Sequence, residues 1–183
     1  MAYTLLDEKK LCRVYQDTEK VLDKTLAHIV QLLDGEHQTV ATAESCTGGL
    51  VSKRITEVAG ASQVFDCGIC SYANQIKERV LGVSHETLEA LGAVSRETAA
   101  QMAAGVRKLA QADIGVSTTG IAGPDGGTDE KPVGLVYVGV DSENYSTVLE
   151  CRLSRGYRDE RELIRYLASS HALRLALTAA RKA

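Results

Sequence analysis

Apolar and polar positions along the chain switch between a helical and a strand-like period, and the switches outline the fold. From residue 9 to residue 33, Leu11, Val14, Tyr15, Val21, Leu22, Leu26, Ile29, Val30 and Leu33 recur at three- and four-residue steps. That spacing predicts an amphipathic helix ending near Asp34-Gly35, where glycine supplies a stop. Residues 39–43 are short and partly β-branched and read as a buried strand. The strand runs into Glu44-Ser45-Cys46-Thr47-Gly48-Gly49, and a helical pattern follows through Leu50, Val51, Arg54, Ile55 and Val58. A second strand is expected over residues 64–71, then a short helix from about Asn74 carrying Ile76, Val80 and Leu81.

Ser84 and Ser95 fit as N-caps of two further helices, with Glu86 and Glu97 in their first turns. The second of these carries Ala99, Met102, Ala103, Val106, Leu109 and Ala110 on one stripe. Residues 114–118 form a strand that feeds a glycine-rich segment, 120–134. Residues 135–140 and 145–153 pair around a turn, and a closing helix runs from 160 to about 180. Strands alternating with helices predict an α/β fold, a three-layer α/β/α sandwich, and the hairpin makes its sheet mixed, mostly parallel. One domain is expected over residues 1–183, with an N-terminal helix in 1–36 and a core in 39–180. The first helix has a longer apolar stripe than one small sheet face covers, which predicts a homo-oligomer.

Composition narrows the function. The chain has 183 residues, 44% hydrophobic and 25% charged, which is the globular norm and argues against wholesale disorder. A net charge of −3 offers no dense cationic face for nucleic acid. One Phe, seven Tyr and no Trp leave little material for a base-stacking platform. No apolar run is long enough to span a bilayer, and the first ten residues lack the apolar core of a signal peptide. Five cysteines without scaffold spacing read as reduced thiols in the cytoplasm. Cys67 and Cys70 lie three apart on an expected strand and face opposite ways, so they read as small, mostly buried residues rather than metal ligands.

Two segments offer chemistry. Ser45 sits where a strand hands over to a helix, a place whose free N–H groups favour negative charge. Amides near Cys46 and Thr47 suit an oxyanion there, and Gly48 and Gly49 let a ligand approach the backbone. From the turn alone, a Ser and Thr that merely cap the helix explain the pattern equally well. A nucleophilic serine needs a base, and none of His28, His37, His85 and His171 lies in a motif. Lys77, in Ser71-Tyr72-Ala73-Asn74-Gln75-Ile76-Lys77, is an alternative base, with the Tyr72 hydroxyl as proton relay. A solvated helix lysine is the plain alternative. The loop from Thr118 to Gly134, which carries Thr119, Gly120, Gly123 and Gly126, is long for a compact domain and suits a phosphate or sugar. Arg161 and Arg165, one helical turn apart, suit a phosphate clamp or pairing with Glu160 and Glu162.

Together these stretches resemble the C-terminal domain family of the competence/damage-inducible protein CinA, which includes stand-alone nicotinamide-nucleotide amidases. The matching motifs run in order: Ala43-Glu44-Ser45-Cys46-Thr47-Gly48-Gly49; Tyr72-x-Asn74-x-x-Lys77; Gly92-Ala93-Val94-Ser95; Gly120-Ile121-Ala122-Gly123-Pro124-Asp125-Gly126-Gly127; and Glu130-Lys131-Pro132-Val133-Gly134. The resemblance implies hydrolysis of the carboxamide of nicotinamide mononucleotide (NMN) to nicotinic acid mononucleotide and ammonia, with no metal or organic cofactor. It implies Ser45 as nucleophile with Tyr72 and Lys77 as proton-transfer partners. Cys46, Thr47, Gly48, Gly49, Asn74, Thr119, Gly120, Gly123, Gly126, Arg161 and Arg165 would face the nucleotide. The chain reads Asp159-Glu160-Arg161 where the family often has Gly-Asp-Arg. The family's larger N-terminal nucleotide-pyrophosphatase-like domain has no counterpart in these motifs, and its metal-dependent activity is not expected. A non-catalytic pyridine-nucleotide-binding regulator and an amidase of another small substrate stand as alternatives.

Overall fold

The computed structural model describes residues 26–182. Within them, helix α1 covers residues 26–35 and strand β1 Val40–Glu44. Helix α2 (Leu50–Thr56) and a single 3₁₀ turn (Ala61–Gln63) lead to β2 (Phe65–Cys70). Three helices follow: α3 (Asn74–Leu81), α4 (His85–Leu91) and α5 (Arg96–Ala110). Strands β3 (Ile114–Gly120), β4 (Leu135–Asp141) and β5 (Thr147–Arg152) precede the closing helix α6 (Arg161–Ala180). The part of the expected first helix before residue 26, and the self-association expected from it, lie outside the described residues.

The sheet order is β2-β1-β3-β4-β5. Strands β2 and β3 run parallel to β1, while β4 and β5 continue as antiparallel neighbours. Alternate side chains of β1 divide between two cores, as a period of two requires. Val40 packs with Leu26, Ile29, Val30 and Leu33 of α1, Ile55 of α2 and Ile164 and Leu173 of α6. Ala41 and Ala43 pack on the other face with Leu81, Leu88, Met102 and Val106 from α3, α4 and α5. The architecture is therefore the α/β/α sandwich, with a mixed sheet whose parallel part is central to the site.

Local chemistry explains the boundaries. Ser84 and Ser95 do cap their helices, each accepting a bond from the amide three residues on, Thr87 at 3.1 Å and Thr98 at 3.2 Å. The α5 stripe is shorter than its sequence implies. It buries Ala99, Met102, Ala103 and Val106, but Leu109 is half exposed on an open groove beside Val80. Helix α5 passes so near the end of α3 that a Cβ on Gly105 would lie 1.8 Å from the Leu81 carbonyl oxygen. Cys67 is half-buried and Cys70 exposed, so the CxxC pair is more open than expected, because β2 is an edge strand. Among the described residues no helix is long and apolar enough to cross a membrane.

Candidate active site

Parallel pairing puts the carboxyl ends of β1, β2 and β3 side by side. Glu44 is in register with Cys70 on one flank and Thr118 on the other. The residues just beyond continue the pattern: Ser45 N donates to Thr118 O at 2.9 Å and Ser71 N to Glu44 O at 2.8 Å. Three loops that are far apart in sequence thus meet at one sheet edge, the usual position of a ligand site in open α/β sheets. Ser45, Ser71 and the start of the 121–134 loop all lie there.

The Ser45 turn is built around Glu44, which sequence reasoning passed over. Its buried carboxylate accepts at Oε2 from Thr47 Oγ (2.6 Å), Gly49 N (3.0 Å) and Val51 N (3.0 Å). Oε1 accepts from Ser52 N (2.8 Å) and Ser52 Oγ (2.7 Å). These satisfy amides that the start of α2 would otherwise leave unpaired. The chain can double back this tightly because Gly48 and Gly49 take positive φ of 58° and 92°, which other residues rarely adopt. An acidic residue closing a short buried strand, directly before a glycine-rich helix start, was the available signal.

That network divides the turn's donors. The Gly48 amide bonds Ser45 O at 3.2 Å and the Gly49 amide bonds Glu44. Among the described residues, the amides of Cys46 and Thr47 donate to no protein oxygen. They are available to donate to an oxygen of a bound ligand. The Thr47 hydroxyl is held between Glu44 and Thr118, and the Thr119 hydroxyl donates to Ala93 O at 2.6 Å. Both side chains hold the frame together.

Lys77 projects from α3 into this frame. It is fully buried, with Nζ 3.2 Å from Ser45 Oγ and 2.6 Å from Ser71 O. Burial lowers its pKa from the ordinary lysine value, because an ammonium loses hydration there; the thiol of Cys46 close by opposes this weakly. Burial also pushes the Cys46 thiol up to about 12. A thiol that stays protonated is a poor nucleophile, which leaves the adjacent Ser45 hydroxyl as the candidate nucleophile of this turn. His28, His37 and His85 are exposed, and His171 makes no hydrogen bond to Ser45.

Arginines of α6 close the rim. Arg161 donates to Gly123 O at 2.6 Å and to Tyr72 Oη at 3.3 Å, and Arg165 donates to Thr47 O at 2.7 Å. Neither pairs with Glu160 or Glu162. Tyr72 is 67% exposed at the mouth, with its hydroxyl on Arg161 and not on Lys77. Asn74 and Gly126 are exposed and take no part in these bonds, and Gly120 lies close against the Leu135 carbonyl. Arg54 of α2, buried and bonded to Ser169 and Ser170, ties the helix after the Ser45 turn to α6. Among the described residues no cluster of His, Cys, Asp and Glu is arranged to hold a metal.

The fold is thus an α/β domain with a serine at a strand-to-helix turn and a buried lysine amine against its hydroxyl. Residues 22–180 match the CinA C-terminal domain, and the chain belongs to that family. It is 51% identical over 147 residues to a CinA-like protein of Desulfovibrio desulfuricans, covering 80% of this chain and 34% of that relative. It thus spans about a third of the length of the curated relatives it matches. The crystal structure of the competence/damage inducible protein CihA from Agrobacterium tumefaciens superposes with a TM-score of 0.82 at 40% identity, covering 86% of this chain and 94% of that one. A CinA superfamily protein from Escherichia coli gives 0.78 at 29% identity, covering 86% and 88%.

Proposed function

We propose that this domain hydrolyses the carboxamide of NMN, releasing nicotinic acid mononucleotide and ammonia, with Ser45 as nucleophile and Lys77 as base. The observation that carries the reading is the fully buried Lys77 amine 3.2 Å from Ser45 Oγ. Burial favours the neutral amine, which can accept a proton. Ser45 gives its proton to Lys77 as Oγ bonds to the carboxamide carbon. The carbonyl oxygen becomes an oxyanion facing the Cys46 and Thr47 amides, a stabilisation of about 2.7–4 kcal/mol per donor. The C–N bond then breaks, and Lys77 returns its proton to the leaving nitrogen, giving ammonia and an ester on Ser45. Water, deprotonated by Lys77, cleaves the ester, and Ser45 recovers its proton.

In this reading Tyr72 stands at the mouth as a wall for the pyridine ring. The remaining N–H donors of Arg161 and Arg165 face the phosphate, since each guanidinium has more donors than its bonds here use. Product analysis by ion-exchange chromatography tests the substrate. NMN should yield nicotinic acid mononucleotide, while nicotinamide riboside, which lacks the phosphate, should be turned over far more slowly. Equal rates on both would remove the arginines from the reading, and no product from either would sink it.

A further inference from the structure

Two buried groups in the site are short of partners, and they sit on touching residues. An ammonium has three N–H donors. Lys77 Nζ has two acceptors among the described residues, Ser45 Oγ at 3.2 Å and Ser71 O at 2.6 Å. Ser71 is also fully buried, and its Oγ has no hydrogen-bond partner among the described residues. Its backbone is already committed to this place, with N–H on Glu44 O and carbonyl on Nζ. Rotation about its Cα–Cβ bond carries Oγ between staggered positions, on the same residue as the carbonyl that holds the amine. An unpaired hydroxyl and an unpaired N–H each destabilise a dry site, and pairing them removes both defects.

We propose that Ser71 is a positioning residue whose hydroxyl accepts a hydrogen bond from Lys77 Nζ during the reaction. The proposal rests on the reading of Ser45 and Lys77 as nucleophile and base. When the amine is neutral, its two N–H groups go to Ser71 O and Ser71 Oγ, and the lone pair is left facing the Ser45 hydroxyl. When the amine carries the proton taken from Ser45, its third N–H faces the leaving nitrogen. Ser71 itself makes and breaks no covalent bond. The titratable group acting on Nζ is Cys46 of the Ser45 turn, and the Cys46 thiol in turn feels Glu44, Arg165 and Lys77 itself. None of them supplies the missing acceptor.

Ser71→Ala tests this, read by the rate at which a fluorophosphonate labels Ser45 across pH, by NMN turnover and by thermal melting. Labelling reports on the Ser45–Lys77 pair without requiring NMN to be the substrate. The variant should fold and melt within a few degrees of wild type, because the backbone bonds of Ser71 to Glu44 O and Lys77 Nζ remain. Labelling and turnover should nonetheless fall about ten- to a hundredfold, the range expected for a lost bond to a charged group. The rising limb of the labelling profile should move to lower pH, since the ammonium has lost an acceptor. A merely structural serine would leave that limb in place. Equal rates and limbs for wild type and Ser71→Ala overturn this proposal alone. A wild-type protein that is not labelled at Ser45 overturns the Ser45–Lys77 reading and the proposal with it.

Discussion

Replacing Glu44 by glutamine exchanges one oxygen for an NH₂ group and leaves the side-chain volume almost unchanged. In the native turn Oε2 serves Thr47 Oγ, Gly49 N and Val51 N, while Oε1 serves Ser52 N and Ser52 Oγ. Glutamine has a single acceptor oxygen. Its better placement keeps that oxygen at the Oε2 position and turns NH₂ towards Ser52. The Ser52 hydroxyl can rotate to accept, but the Ser52 amide is stranded against another donor. One stranded buried donor, together with the weakening of charge-assisted bonds to neutral ones, costs about 2–4 kcal/mol. For a chain of this size that is a fall of about 5–15 °C in melting temperature. Urea unfolding followed by circular dichroism should show a lower midpoint at unchanged slope. Turnover should fall as well, because Ser45 is the first residue of the turn that Glu44 holds. A Glu44→Gln variant within 0.5 kcal/mol of wild type would show that the carboxylate does not organise the turn.

Four further outcomes are expected. Lys77→Arg should be as inactive as Lys77→Met in NMN turnover, since guanidinium stays protonated and cannot serve as base; retention of most of the rate by the arginine variant contradicts that role. The lowered Lys77 pKa also means that the unfolded chain binds the proton more readily, so wild-type stability should rise with pH from the lowered folded value up to the ordinary 10.5. Lys77→Met should flatten that rise in urea midpoints, and an identical slope in both proteins counts against it. With Cys12 replaced by serine, Cys70 should react with a thiol reagent in the native state. Cys46 and Cys151, raised by burial to about 12 and about 11, should react only on unfolding; modification of Cys46 as fast as Cys70 would refute the burial argument. Gly105→Ala must push α3 and α5 apart to clear the Leu81 carbonyl and should destabilise by about 1–3 kcal/mol in a thermal melt, whereas an unchanged melt would mean the helices have slack.

What the sequence revealed and what it hid separate along the range of the interactions. Ser84 and Ser95 were legible as caps because a cap bonds an amide three residues away. Residues 39–43 read as a buried strand because both faces of β1 are covered. Leu109 misled, since helical spacing says which face a residue occupies but not how far the opposing layer extends. Lys77 could not be told from a surface lysine by its own helix, because its amine is held by Ser45 and Ser71, the residues just beyond β1 and β2. The motif placed it near Ser45, and the register of β1 with β2 shows how. Arg161 and Arg165 were recognisable as a pair one turn apart, but their partners Gly123 and Thr47 lie 38 and 118 residues away. Glu44 was in plain view within its motif. Its role depends on a network closed by Thr47, Gly49, Val51 and Ser52, and no local pattern announces such a network.

The central claim is that the Ser45 hydroxyl, activated by the buried Lys77, opens the carboxamide of NMN. Ammonia release from NMN by purified wild type, Ser45→Ala and Lys77→Met, measured side by side at equal folded concentration, tests it most directly. Wild type should release ammonia in step with nicotinic acid mononucleotide, while both variants fold, bind the nucleotide and release none above background. Turnover by Ser45→Ala at a rate comparable to wild type would contradict the account.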